Sequence, residues 1–222
     1  MITLHHCVSA RSFRSLWLLE ELGLPYELRM WPFPPRALAR HYLEENPLGT
    51  VPLLVEGHVH MTESAAICQY LAARHSPGVL DVAASDAHFG AYLNWLHMSD
   101  ATLTFPQTLV LRYRHFETGE RLQPQVANDY ERWFLARLRA VENALTEADY
   151  LCAMRFTAAD IAVGYALLLA EHLGLAEQFT PNIRVYWDRL QDRPAFQRAL
   201  ARQQQAALAQ GVPITPAPDI RP

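Results

Sequence analysis

Strand-length apolar runs alternate with helix-period segments through roughly the first third of this chain, and beyond it every periodic segment is helical. That switch constrains the fold more than any other feature. Ile2–His6 is a short β-like run, and Phe13–Leu22 carries Phe13, Leu16, Trp17 and Leu19 at helical spacing before Gly23 ends it. The stretch "GLPYELRMW" supplies a second strand, and a helix-like segment over 36–45 closes at Asn46-Pro47 and Gly49. Runs at 51–55 and 58–61 flank Glu56-Gly57 as a tight hairpin, and a helix over 63–75 completes a ββα unit. A βαβ half joined by a helix to a ββα half is a thioredoxin-like arrangement.

Ser76-Pro77-Gly78 breaks the pattern, and the residues up to Ser85 read as a connector. Helical periodicity then covers 86–116, 124–145 and 158–173, with shorter helices at 181–190 and Pro194–Ala209. The expected organisation is an α/β thioredoxin-like domain (1–76), a linker (77–85), an all-α helical domain (86–210) and a proline-rich mobile tail (211–222). Thr157 and Asp160 have the spacing of a capping box.

With 222 residues, half of them apolar, the chain has material for a substantial core. A net charge of -4 supplies no basic field for nucleic acid or an anionic membrane surface, so neither is expected as a partner. Residues 1–7 lack the cationic start and apolar run of a secretory signal, and no uncharged apolar stretch reaches the ~18 residues that span a bilayer. Three widely separated cysteines, Cys7, Cys68 and Cys152, argue against a disulfide framework and for a reducing compartment, the cytoplasm by default. His5 and His6 point to opposite faces of a strand, and His58 and His60 have no further ligand nearby, so no metal is expected.

Thr62, Glu63 and Ser64 introduce a helix whose next stretch is almost wholly apolar. They either start that helix and no more, or also hold something. A helix start offers unpaired N–H groups and a positive dipole end to a carboxylate, a serine hydroxyl can donate to the same anion, and Glu63 would suit an ammonium group beside it.

Four stretches, "SARSFRSLWLLEELGLPYEL", "NPLGTVPLL", "TESAAICQYLAARH" and "RFTAADIAVGYALL", occur in an order and at separations that resemble the cytosolic glutathione transferase family, bacterial and serine-type, over nearly the whole chain. The resemblance implies a homodimeric enzyme that binds glutathione on its thioredoxin-like domain and shapes a second-substrate pocket with its helical domain. It implies that Glu63 and Ser64 hold the γ-glutamyl end, and that Val51, before a cis Pro52, pairs with the cysteinyl backbone. Ser9 falls where serine-type members carry the hydroxyl that favours the thiolate, with Ser12 as its competitor and a natural N-cap. Some relatives instead use a cysteine for disulfide exchange, at the positions of Ser9 or Arg11 here; Cys7 is two residues before Ser9. Where the family often has a basic residue for the glycine carboxylate, this chain has Thr50, so Arg36, Arg40 or His41 is the expected substitute. Phe105, Arg112, Tyr113, Phe116 and Trp95 are candidates to line the pocket for a hydrophobic electrophile, and Asp100 to reach a partner subunit's ligand. The expected function is glutathione transfer to such an electrophile, in a detoxification role. The alternatives are a non-catalytic scaffold, an isomerase, or a glutathione-dependent disulfide reductase.

Overall fold

The computed structural model describes residues 1–217. Strands β1 (Ile2–His6) and β2 (Tyr26–Met30) are joined by helix α1 (Phe13–Leu22). Two single-turn helices, α2 (Pro35–Leu38) and α3 (Tyr42–Glu45), lead to β3 (Leu53–Glu56), β4 (Val59–Met61) and helix α4 (Ser64–His75). The sheet order is β2-β1-β3-β4. β1 runs parallel to β2 with Leu4 opposite Leu28, and antiparallel to β3 with Leu4 opposite Leu54. This is the thioredoxin-like arrangement read from the sequence.

Two local expectations are corrected. The helix expected over 36–45 is broken at Ala39, whose non-helical backbone (φ -140°, ψ 67°) separates α2 from α3. The hairpin turns at Gly57 and His58, because Glu56 still pairs with Val59 and it is Gly57, free of a Cβ, that takes a positive φ of 61°.

The rest is helical: α5 (Phe89–Met98), α6 (Phe105–Leu111), α7 (Pro124–Ala144), α8 (Ala158–His172), α9 (Pro181–Gln191) and α10 (Pro194–Ala209). The single rod expected over 86–116 is interrupted by two wide π-helical turns, Ser99–Thr104 and Arg112–Phe116. None of the described helices is long and apolar enough to cross a membrane.

Helix α8 is the axis of the core, buried along almost its whole length. The capping box at its start is present: the Thr157 N–H donates to Asp160 Oδ2 at 2.8 Å, and the Ala159 N–H donates to Thr157 Oγ1 at 3.3 Å. Asp160 Oδ1 also accepts from the Leu151 N–H and the Tyr186 hydroxyl. Burial nevertheless pushes its carboxyl up to about 6. Gly164 lets α8 approach α1 closely, since a Cβ there would stand 2.8 Å from the ring of the wholly buried Trp17.

Helix α10 returns to the sheet. The Gln210 side chain that follows it acts like a peptide on the edge of β2, donating to Leu28 O and accepting from Met30 N–H, both at 2.8 Å. The tail is not free of the body along its described length: the Ala217 N–H donates to Val8 O at 2.7 Å. Its prolines forbid a helix yet leave an extended backbone able to pair. Residues 218–222 lie outside the described residues.

Candidate active site

A cavity of about 270 Å³ opens between the sheet half and the helical half. Ala10 and Arg11 enter it from the loop between β1 and α1, Phe33, Pro35 and Arg36 from the segment around α2, 49–52 from the loop before β3, and 62–64 from the start of α4. The opposite wall is Thr108 and Leu111 of α6, Tyr165 and Leu169 of α8, and Ala217 of the tail. One half is therefore polar and charged and the other largely apolar.

Glu63, not Thr62, is the cap residue of α4; its side chain makes no capping bond and is exposed. The first intrahelical bond runs from Ile67 N–H to Glu63 O, so the amides before Ile67 have no carbonyl one turn back. Glu63 is thus left to face the cavity beside an anion-attracting helix end.

Ser64 is buried, and its Oγ accepts from Arg14 Nη1 at 2.8 Å. Arg14 is wholly buried too, and its guanidinium is fully used. It donates to Ala162 O, Ser64 Oγ, Asp100 Oδ1, Ser99 O and Thr104 Oγ1, with its Cζ 4.7 Å from the Tyr165 ring centroid. Burial works against that charge and Asp100 opposes the effect. Asp100 Oδ1 also accepts from Arg11 Nη1 at 3.0 Å, so one carboxylate serves two arginines inside this chain.

Val51 lies beyond the last β1–β3 rung, where His5 faces Leu53, and the Val51–Pro52 peptide is cis. The preceding carbonyl, Thr50 O, is fixed by the Tyr42 hydroxyl and Asn46 Nδ2, each at 2.8 Å. Gly49, at φ 61°, permits this loop to press on α2: a Cβ would stand 2.7 Å from Arg36 Cβ. The same approach brings Arg36 to the rim.

Residues 8–74 match the family model described as "Glutathione S-transferase, N-terminal domain". Over 208 residues the chain is 28% identical to glutathione S-transferase 3 of Schizosaccharomyces pombe, covering 88% of this chain and 85% of that one. The chain is thus similar to glutathione S-transferases over most of its length, and its residues 8–74 match their N-terminal domain. Over 161 residues it is 29% identical to glutathione S-transferase GstA of Escherichia coli O157:H7, covering 72% of this chain and 77% of that one. The solved ternary complex of BphK, a bacterial member, superposes with a TM-score of 0.79 at 25% identity, covering 90% of this chain and 98% of that one.

Of the residues carried over from the family, the structure brings Val51, Pro52, Glu63 and Ser64 to one cavity. It does not bring the serine hydroxyls there. Ser9 is 2% exposed, adopts φ 54°, and turns its Oγ to Gln203 Nε2 at 3.2 Å. Ser12 is wholly buried with Oγ 2.6 Å from His6 Nδ1, and it makes no side-chain cap on α1. From this loop the cavity is lined by Ala10 and Arg11, between the two serines.

Of the three basic candidates Arg36 lines the cavity, while Arg40 and His41 are exposed and His41 packs on the Trp31 ring, 5.2 Å between centroids. On the helical wall, Thr108 and Leu111 replace the expected aromatics. Phe105 is half exposed and Trp95 belongs to the core. Arg112 pairs with Glu117 and lies over the Tyr113 ring, and Phe116 reaches the cavity only by packing on Phe33 at 6.1 Å. The Cys7 thiol is buried, and burial pushes it up to about 12, which disfavours the thiolate. Asp100 is engaged within the chain by Arg11 and Arg14.

Sequence reading missed the burial of Arg14, the lining role of Tyr165 and the whole of Gln203. Arg14 had a signal: it lies among Phe13, Leu16 and Trp17, the apolar residues of α1. Gln203 had none, being 194 residues from Ser9.

Proposed function

We propose that this protein is a glutathione transferase that presents the glutathione thiolate to a hydrophobic electrophile in the described cavity. The observation that carries the reading is the convergence of Glu63, Ser64, the Val51 backbone and Arg11 on one cavity whose opposite wall is largely apolar. Glutathione needs one partner for each of its ends and its thiol. The γ-glutamyl carboxylate takes the α4 amides and the Ser64 hydroxyl, whose proton is free to donate because Arg14 already donates to its oxygen. The γ-glutamyl ammonium takes Glu63, the cysteinyl amide pairs with the Val51 backbone, and the glycine carboxylate takes Arg36.

With both serine hydroxyls turned away, the thiolate falls to the turn that opens α1. The Arg11 and Ser12 N–H groups have no backbone acceptor among the described residues, and Arg11 adds a guanidinium. Lowering a thiol from ~8.5 to ~7 takes about 2 kcal/mol, and one hydrogen bond to a charged group supplies ~1.5–3 kcal/mol. Amides alone therefore suffice. The sulfur lone pair attacks the electrophilic carbon, and the leaving halide or aryloxide departs with the bonding pair.

The same reading takes residues 1–76 as the glutathione-binding domain, 77–85 as a linker and 86–210 as the helical domain, in a cytoplasmic homodimer. Conjugation of reduced glutathione to a chlorodinitrobenzene, followed by the product's absorbance across pH, tests it. Turnover that saturates in glutathione is the expected result. Binding without turnover on a broad electrophile panel would favour the second reading, a scaffold, to which the withdrawn hydroxyls of Ser9 and Ser12 lend weight.

A further inference from the structure

Four buried side chains behind the cavity form one hydrogen-bonded chain, Ser12–His6–Gln203–Ser9. Gln203 of α10 is 1% exposed, and its Oε1 accepts from the Ser9 N–H at 2.9 Å. That bond fixes which end of the amide is oxygen, so Nε2 is the donor to Ser9 Oγ at 3.2 Å. His6 Nε2 lies 3.0 Å from the same Oε1 and must carry a proton to bond it. His6 Nδ1 is then bare and accepts from the Ser12 hydroxyl at 2.6 Å. The ring is neutral near pH 7, burial having pulled it down to about 4.

The chain grips both serines that bracket Ala10 and Arg11, the two residues of this loop that reach the cavity. Ser9 is held in the left-handed region, which a residue with a Cβ enters only under constraint, and the constraint on both its N–H and its Oγ is Gln203. The Ser9 carbonyl is held in turn by the Tyr165 hydroxyl at 3.4 Å. A two-residue turn pinned at both ends has its peptide planes set from behind.

We infer that Gln203 is a positioning residue for the thiolate: through Ser9 directly, and through His6 to Ser12, it holds the Ala10–Arg11 turn so that the Arg11 and Ser12 amides face the sulfur. This rests on the reading of the cavity as a glutathione site. The contacts assigned to glutathione's two ends lie on other segments, at Glu63, Ser64, Val51 and Arg36, so the role predicts a selective effect on the sulfur. The charged and titratable groups that face the sulfur are Arg11 with its partner Asp100, Arg36 from α2, Glu63 before α4 and Tyr165 from α8, and none of them is changed by substitution at 203.

Gln203→Met keeps the volume and removes all three hydrogen bonds. Calorimetry with reduced glutathione and the pH profile of kcat/KM are to be measured for it, for Ser9→Ala and for the wild-type protein. The expected result for Gln203→Met is glutathione affinity within about twofold of wild type, with the thiol's pKa raised by about one unit, so that kcat/KM falls about tenfold at low pH and recovers at high pH. Ser9→Ala, which leaves the N–H contact to Oε1, shifts the profile less. Superimposable profiles overturn the inference, and so does a loss by the same factor at every pH, which marks general loosening. Should Gln203→Met fail to fold, Gln203→Asn, which draws the amide back by one methylene, must show the same shift, and an unshifted profile again overturns it. No heat of association from the wild-type protein is a separate outcome: it removes the glutathione site and the positioning role with it.

Discussion

Arg14 Nη1 donates to Ser64 Oγ at 2.8 Å, joining a wholly buried cation in α1 to the first residue of α4. The contact fixes Ser64 as an acceptor on one side and leaves its proton for the cavity. It also ties the sheet half to the helical half, since the same guanidinium binds Ser99 O, Thr104 Oγ1 and Ala162 O. Replacing Arg14 by Met strands those acceptors and Asp100 loses one of its two cations. A loss of about 3–5 kcal/mol in unfolding free energy is expected, the range for breaking a buried ionic network. Urea unfolding measures it, and glutathione affinity should fall alongside.

Glu63 and Ser9 separate binding from chemistry. Glu63→Gln is expected to raise KM for glutathione about tenfold with kcat nearly unchanged, the pattern for a contact made equally in ground and transition states. Ser9→Ala is expected to lower kcat/KM only about threefold, because its Oγ accepts from Gln203 and does not face the cavity. A loss of several hundredfold on Ser9→Ala would restore the serine as the group beside the sulfur.

Acid should weaken the fold through His6. Its folded value, about 4, is below its unfolded value, 6.5, so its stabilising effect is fully present above 6.5 and is lost as pH falls through 4. That amounts to roughly 3 kcal/mol over the window. Asp160 acts with the opposite sign: its folded value is raised from 3.8 to about 6, so its contribution is complete below 3.8 and lost as pH rises through 6. Comparing stability–pH curves of wild type and His6→Gln isolates the histidine. The variant should be less stable at pH 7 yet lose less on acidification.

Packing between α1 and α8 should be intolerant of one methyl group. Gly164→Ala places a Cβ 2.8 Å from Trp17 and 3.0 Å from Leu190 Cδ1, both ring and side chain being buried. A destabilisation of about 1–3 kcal/mol is expected by thermal or urea unfolding, the usual cost of overpacking a filled core.

The elements that were legible in the sequence are those fixed by local chemistry. Gly23 stops α1 because φ 62° suits a residue without a Cβ, Thr157 and Asp160 start α8 through their own side chains, and short apolar runs bounded by turn residues mark the strands. Val51, Glu63 and Ser64 were singled out by the family resemblance, local chemistry alone favouring a strand edge and a helix start, and all three line the cavity. The helical wall was not. Each π turn between Ser99 and Phe116 shifts the hydrogen-bond ladder by a residue, which rotates every later side chain about the axis, so spacing picked Phe105, Arg112, Tyr113 and Phe116 where Thr108 and Leu111 face the cavity. The directions of the two serine hydroxyls were not legible for another reason: what decides the direction of a hydroxyl is its partner, and the partners are His6, across a turn, and Gln203, at the far end of the chain.

The most direct measurement is the sulfur position in a crystal of this protein with reduced glutathione. The account predicts the sulfur within about 3.5 Å of the Arg11 or Ser12 amide, hydrogen-bond reach for so large an acceptor, with the γ-glutamyl carboxylate on Ser64. A sulfur seated on a reoriented Ser9 hydroxyl, or a cavity that stays empty at saturating glutathione, would contradict it.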